Sequence, residues 1–235
     1  MDITHTKEAF LEGQLLLIDK PFRWTSFQVV NKIRWAIQKE FDLKKIKVGH
    51  AGTLDPLGTG LMLICTGRMT KQIEQFMGMP KAYTGSFRLG ATTPSYDLET
   101  SVSEPKPTGH ISTEMLEQVR AGFLGNIQQK PPIYAAIKKD GKRLYYLARA
   151  GKTIEIPSRE VKITDFELTD VKMPDIHFSV SCSKGTYIRS LAHDFGQKLG
   201  CGAHLTSLKR TSIGSYPLSA ALTLHAFLHS LEAKS

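Results

Sequence analysis

Apolar positions along the chain change period several times, and each change marks an element. "QLLLIDKP" is a short apolar run stopped by Pro21, too brief for a helix, and predicts a buried strand. A helix follows at once: Thr25 and Gln28 have capping-box spacing, and Val30, Ile33, Ile37 and Phe41 recur on one helical face. "KAYTGSFRLG" sets Tyr83, Gly85, Phe87 and Leu89 against polar neighbours, a strand pattern. The Pro-, Ser- and Thr-rich stretch "TTPSYDLETSVSEPKPTGHIS" has no sustained period and predicts a long surface loop or irregular hairpin. From Ser112 a helix carries Met115, Leu116, Val119 and Phe123 inward and stops at Gly125. "IHFSVSCSKG" alternates Ile176, Phe178, Val180 and Cys182 as a strand. "TYIRSLAHDFGQKLG" then turns helical through Ile188, Leu191, Phe195 and Leu199, and a last amphipathic helix runs through Leu224, Phe227, Leu228 and Leu231. Strands and helices mix without βαβ alternation, so the class is α+β.

Composition narrows the partner. Lys and Arg number 31 against 22 Asp and Glu in 235 residues, a formal charge of +9 that suits a polyanion such as nucleic acid. Three cysteines, Cys65, Cys182 and Cys201, show no C-x-x-C spacing, so neither a disulfide framework nor a cysteine zinc site is expected. The N-terminus lacks a basic region ahead of a long apolar run, and no window reaches the ~18 apolar residues of a membrane span. The expectation is a cytoplasmic protein with no membrane partner.

Four constellations bear on chemistry. "KVGHAGTLDPLGTGLMLICTGRMTK" holds one carboxylate, Asp55, between glycines and a proline, amid Lys47, Arg68 and Lys71. The glycines do not make a phosphate loop, which needs Gly-Lys-Ser or Gly-Lys-Thr; they suit close backbone approach, with Asp55-Pro56 as a rigid turn presenting the carboxylate. A plain turn is the simpler account of an isolated Asp-Pro. His225 and His229 have helical zinc spacing, but Ala226 stands where a metalloprotease has its general-base Glu, so no metal is expected. His193-Asp194 reads as a surface pair. "QKPPIYAAIKKDGKRLYYLARAGK" interleaves Lys130, Lys138, Lys139, Lys142, Arg143, Arg149 and Lys152 with three tyrosines and one acid, a pattern for holding phosphates while stacking on bases, or simply a solvated basic hairpin. In "CSKGTYIRSLA", Arg189 follows a strand end and a glycine, where its fork could pair with a carboxylate from another segment.

Five segments together resemble the TruB family of tRNA pseudouridine synthases: "DKPFRWTS", "VGHAGTLDPLGTGLM", "KAYTGSFRLG", "QKPPIYAAIKKDGKRLYYLARAG" and "SKGTYIRSLAHDFG", in the family's order between Leu15 and Arg210. The resemblance implies a pseudouridine synthase fold, with a mixed, largely antiparallel sheet flanked by helices and loops. It also implies isomerisation of uridine to pseudouridine in the tRNA T-loop, at position 55 in standard tRNA numbering. Asp55 becomes the essential carboxylate, Arg189 its ion-pair partner, and Tyr83 the aromatic stacking on the target base. His50 fills the stack vacated by the flipped base, while Lys20 and Tyr187 support the site. RNA contacts fall to Lys130, Lys138, Arg143 and Arg149. No cofactor or metal is implied, and the expected partner is the T-arm of tRNA, bound by a monomer. Two departures stand out. Arg23 replaces a glycine usual in the first motif, and the residues after Arg210 are too few for the RNA-binding PUA domain that many members carry. The expected organisation is one catalytic domain over 1–235, with 214–235 a helical tail. An RNA-binding protein without chemistry would explain the charge and aromatics but leave Asp55 and Arg189 without a task, and a glycosidase would want a second acid beside the first.

Overall fold

The computed structural model describes residues 3–134 and 156–232, together with the backbone of two short strands at 138–139 and 142–143. In chain order the elements are α1 (Lys7–Glu12), β1 (Leu15–Lys20), α2 (Ser26–Glu40), β2 (Val48–His50), β3 (Gly58–Thr66), α3 (Ile73–Gly78), β4 (Lys81–Leu89), α4 (Thr113–Ala121) and β5 (Gly125–Gln129). There follow β6 (Lys138–Lys139), β7 (Lys142–Arg143), β8 (Arg159–Lys172), β9 (Asp175–Cys182), α5 (Ile188–Lys198), β10 (Ala203–Ile213), β11 (Tyr216–Pro217), β12 (Leu222–Thr223) and α6 (Leu224–Glu232). The fold is mixed α and β, as the sequence pattern predicts, with a mixed sheet, as the family resemblance implies.

The chain divides into two compact units, residues 1–83 with 208–235, and residues 84–207. In the first, β1 runs antiparallel to β3, Leu17 opposite Leu63, and β3 runs parallel to the end of β10, Leu208 opposite Gly58. β2 adds antiparallel to β3, and β12 pairs in parallel with the outer edge of β1. One face of these strands carries Leu15, Leu17, Leu61, Leu63 and Cys65, which pack with Phe76 and Ile213 into an apolar cluster. Hydrophobic burial of such a cluster contributes about 25 cal/mol per Å² and fixes the register, since a slip of one residue would turn every side chain to the other face. Gly60, at φ +99°, lets β3 meet β10: a Cβ there would stand 2.3 Å from the Arg210 carbonyl oxygen.

In the second unit the strand order is β10, β4, β9, β8, β5, with β10 represented by its first half. β8 and β9 form a long antiparallel ribbon, and β5 pairs antiparallel with β8. Phe87, Phe123, Phe166, Phe178 and Phe195 make the centre of its core, the Phe87 and Phe195 rings 4.9 Å apart.

Three expectations need correction. The helix from Ser112 ends at Ala121, not at Gly125; Gly125 opens β5 at φ +88°, so the glycine serves a strand entry. Met115, expected inward, is 36% exposed. The stretch after β4 is not wholly surface: Thr93, Ser95 and Asp97 are buried, and only the part beyond them runs exposed.

Candidate active site

Asp55 lies on the loop between β2 and β3, and hydrogen bonds hold the backbone on both sides of it. Thr25 caps α2 through a complete capping box with Gln28, which sets Ser26 at the first turn. The buried Ser26 hydroxyl then donates to the Leu54 carbonyl and accepts the Leu54 N–H, both at 2.9 Å, clasping the residue before the acid. After the acid, the Pro56 carbonyl accepts the Arg23 N–H at 2.9 Å and the Lys20 ammonium at 3.2 Å. Asp55's own carbonyl accepts the Gly58 N–H at 3.0 Å, closing the turn. A loop tied at residues 54, 55 and 56 presents its carboxylate from one backbone conformation.

Two buried cations in the same unit add to this tying. Lys20, at the end of β1, has no exposed surface, and its ammonium donates to the carbonyls of Pro21 (3.0 Å), Trp24 (2.5 Å) and Pro56 (3.2 Å). Burial pulls its pKa down to about 8; the charge of Asp55 resists that fall, Arg210 adds to it, and Asp19 resists it again. Arg210, in β10, is 1% exposed and donates to the carbonyls of Leu61 (2.7 Å) and Gly52 (3.1 Å), so it grips the loop on its other side. His50 ends β2, half-buried; burial, and then Arg210, lower its pKa and favour the neutral ring. Tyr83 sits buried on β4, whose Lys81 clamps the carbonyls of Met77 and Met79.

The second unit builds the surroundings of Arg189. This residue lies in the first turn of α5 and is 3% exposed, with Nη1 donating to the Ser95 carbonyl (3.0 Å) and Nη2 to the Tyr134 carbonyl (3.2 Å). Its Nε lies 3.6 Å from the carboxylate of buried Asp97. Tyr96, between those two residues, takes φ +65° and stacks on His193 at 3.8 Å with the rings 14° from parallel. His193 and Asp194 are therefore half-buried rather than a surface pair: burial lowers the histidine and lifts the Asp194 carboxyl to about 6. Tyr187 precedes α5; its N–H and carbonyl are both bonded by the buried Gln129 amide (2.7 and 3.0 Å), and Arg159 lies 4.6 Å over its ring. Ser190 donates to the Lys130 carbonyl at 2.8 Å, leaving the Lys130 side chain exposed. Lys138 and Arg143 face each other across the β6–β7 pair by backbone register, and Arg149 lies outside the described residues.

The sequence reading missed Ser26, Arg210, Asp97 and Gln129. Ser26 stands inside the segment "DKPFRWTS", and Arg210 is signalled by the alternation of β10, which turns it inward. Asp97 has no signal of its own. Among the described residues no group of three or more His, Cys, Asp or Glu could hold a metal, His225 and His229 included, and no helix is long and apolar enough to cross a membrane.

Comparison with known proteins places this architecture. Residues 38–188 match the TruB family pseudouridylate synthase N-terminal domain, and residues 189–235 the tRNA pseudouridylate synthase B C-terminal domain. The chain is 56% identical over 228 residues to tRNA pseudouridine synthase B of Flavobacterium johnsoniae, covering 97% of this chain and 100% of that protein. It is 51% identical over 218 residues to the protein of the same name from Phocaeicola vulgatus, covering 93% of each. Among solved structures it resembles a chain of a Cbf5-Nop10-Gar1 complex, with TM-score 0.70 and 28% identity over 94% of this chain and 54% of that one. A structure of an H/ACA RNP bound to a substrate RNA containing 2′-deoxyuridine gives TM-score 0.67 and 26% identity over 94% and 53%. This chain thus spans about half the length of those solved chains. It belongs to the TruB family of pseudouridine synthases.

Proposed function

We propose that the protein isomerises the uridine at position 55 in the T-loop of tRNA to pseudouridine, with Asp55 as the group that acts on the flipped nucleotide. The observation that carries the reading is the anchoring of the Asp55 loop at Leu54 by Ser26 and at Pro56 by Lys20 and Arg23, in a chain of this family. A plain turn has no need of a buried serine on one side and a buried ammonium on the other.

The reaction breaks the N1–C1′ bond of uridine, forms C5–C1′, moves a proton off C5 and leaves one on N1, with no net oxidation. One anionic group at the junction of sugar and base serves whether it adds to the base, attacks C1′ or removes a sugar proton. The Lys20 ammonium, which the charge of Asp55 helps keep protonated against burial, supplies positive potential beside this loop. Arg189 is the counter-charge that the motif resemblance implies for Asp55, and Tyr83 the ring on which the target base stacks. Lifting the base out of the RNA costs a few kcal/mol, which stacking and phosphate contacts offset. A neutral His50 is suited to fill the vacated stack, because an uncharged ring can lie among bases without desolvating a proton's charge.

The test is to incubate purified protein with unmodified tRNA and map pseudouridine by mass spectrometry. One pseudouridine at position 55, without release of free uracil, is the expected result. Free uracil would make the protein a glycosidase, and tight binding without product would make it an RNA-binding protein only. An isolated T stem-loop should be processed about as well as whole tRNA.

A further inference from the structure

Between Lys20 and Lys39 the sequence holds no Asp or Glu, yet it carries Lys32, Lys39, Arg23 and Arg34 together with Phe22, Trp24, Phe27 and Trp35. Three of those aromatics stand in solvent: Phe22 is 54% exposed, Phe27 65% and Trp35 54%. Two of them lie under cations, with Arg23 5.5 Å from the Phe22 centroid, and Lys32 and Lys39 4.8 and 5.3 Å from Trp35. Large apolar rings left exposed beneath Lys and Arg are how a protein tracks a nucleic-acid strand, the rings stacking on bases and the cations meeting phosphates.

Beside this surface, and within the same compact unit, is a cleft of about 670 Å³ walled by Phe22, Trp24, Lys32, Lys209, His225 and Leu228. Its size falls in the ~300–1,000 Å³ range of small-ligand sites. Asp19, the acid in its wall, accepts the Gly60 N–H at 3.1 Å. Arg23 adds a backbone argument. Its φ of +65° lies in the left-handed region, where glycine would sit without strain and an arginine does not. The turn itself needs only the main chain, since it is the Arg23 N–H that donates to Pro56. A strained residue whose backbone task glycine could perform is retained for its side chain.

We propose that Phe22, Arg23 and this cleft form a second RNA site, which takes an unpaired nucleotide adjoining the target uridine. Phe22 stacks on its base, while Arg23, Lys32 and Lys209 meet the flanking phosphates. Adjacency follows from the Pro56 carbonyl, which ties the turn bearing Phe22 and Arg23 to the loop of Asp55. The proposal rests on the T-loop reading of the substrate.

The test uses the Asp55→Asn protein to hold RNA unreacted and compares Arg23→Gly, Phe22→Ala and Lys32→Gln/Lys209→Gln added to it. Arg23→Gly should melt no lower than its parent while binding tRNA several-fold more weakly, with the log–log salt slope reduced by about 0.7–0.9 because one phosphate fewer is neutralised. Phe22→Ala should lose about tenfold, within the range for one base–aromatic stack. With Asp55 restored, the loss should fall mainly on KM. An isolated T stem-loop should show the same factors as whole tRNA, because the nucleotide is near the target. Unchanged affinity and salt slope in all three variants would overturn the site, and a sedimentation change in Phe22→Ala without an RNA effect would give the surface to a second copy of the chain. A loss seen on tRNA but absent on the stem-loop would overturn the adjacency. Failure of the T-loop reading is separate: it would show as an unmodified position 55 with the wild-type protein.

Discussion

The two units handle buried positive charge differently. In the first, Lys20 and Arg210 donate to main-chain carbonyls: Pro21, Trp24 and Pro56 for the lysine, Leu61 and Gly52 for the arginine. In the second, Arg189 also takes two carbonyls, from Ser95 and Tyr134, but has in addition the carboxylate of Asp97 at 3.6 Å. A carbonyl is a dipole: it solvates an ammonium and is itself immobilised, yet it does not cancel the charge. A carboxylate offsets part of it and holds the cation from one more side. The first arrangement therefore fixes a loop while leaving positive potential for Asp55; the second fixes the cation itself, as the aim of a guanidinium fork demands.

If this contrast is right, the largest effect belongs to the acid that the first unit presents. Asp55→Asn should lower single-turnover pseudouridine formation by about a thousandfold or more, as loss of a reacting group does, with tRNA affinity retained. Normal turnover would remove Asp55 from the chemistry and reduce its loop to a plain turn.

Next comes the pairing in the second unit. Asp97→Asn takes the neighbouring carboxylate from buried Arg189 and should cost about 3 kcal/mol of stability, read from urea unfolding. Arg189→Lys keeps the charge but cannot reproduce a planar fork holding Ser95, Tyr134 and Asp97 together, so activity should fall at least about tenfold. Stability unchanged in Asp97→Asn would mean that this carboxylate does not hold Arg189, and the contrast between the units would fail.

The same contrast explains what could be read from the sequence. The Asp55 loop and its anchors at Leu54 and Pro56 come from two short stretches, 20–26 and 49–60, the first punctuated by Pro21 and the Thr25 cap and the second by Pro56 and glycines, so both are visible as motifs, while Arg210 lies outside them. The apolar run of β1 and the alternation of β4 and β9 likewise identify buried positions, among them Leu17, Phe87 and Cys182. Asp97 is not visible, because its stretch lacks period and is rich in residues that usually mark surface. Its burial depends on Arg189, some ninety residues further on, and on Tyr96 stacking with His193. A polar residue buried by a distant partner leaves no local trace. Gly125 misleads for the related reason that a glycine at positive φ punctuates a strand entry as readily as a helix end.

Ser26 gives a smaller, sharper test of the first unit. Ser26→Ala deletes both bonds to Leu54 and leaves a buried N–H and carbonyl without that partner, which should cost about 1–2 kcal/mol of stability. Because the freed backbone adjoins Asp55, turnover should fall several-fold further than the loss of folded protein explains, while KM for tRNA stays near its parent value. A rate loss that merely tracks stability would make the serine clasp structural.

The smallest effect concerns Lys20 and pH, and its value lies in two opposite signs. Unfolded, this lysine keeps its proton to about 10.5; folded, burial brings its pKa to about 8. Between those values the unfolded chain binds the extra proton, so Lys20's contribution to stability rises with pH across that window, having been at its least favourable below about 8. Activity should move the other way. As the ammonium deprotonates, Asp55 loses a neighbouring positive charge, and one of the three donors to Pro21, Trp24 and Pro56 disappears. Single-turnover rates should fall a few-fold through pH 8–9 while urea unfolding at the same pH values shows no matching loss. Lys20→Met, which removes the titration, should be slower throughout, and the ratio of wild type to variant cancels any titration of the RNA itself. That ratio should decline above pH 8. A ratio flat to pH 9.5 would show that the clamp needs only an amine holding its carbonyls, and that the positive potential ascribed to the first unit does not assist Asp55.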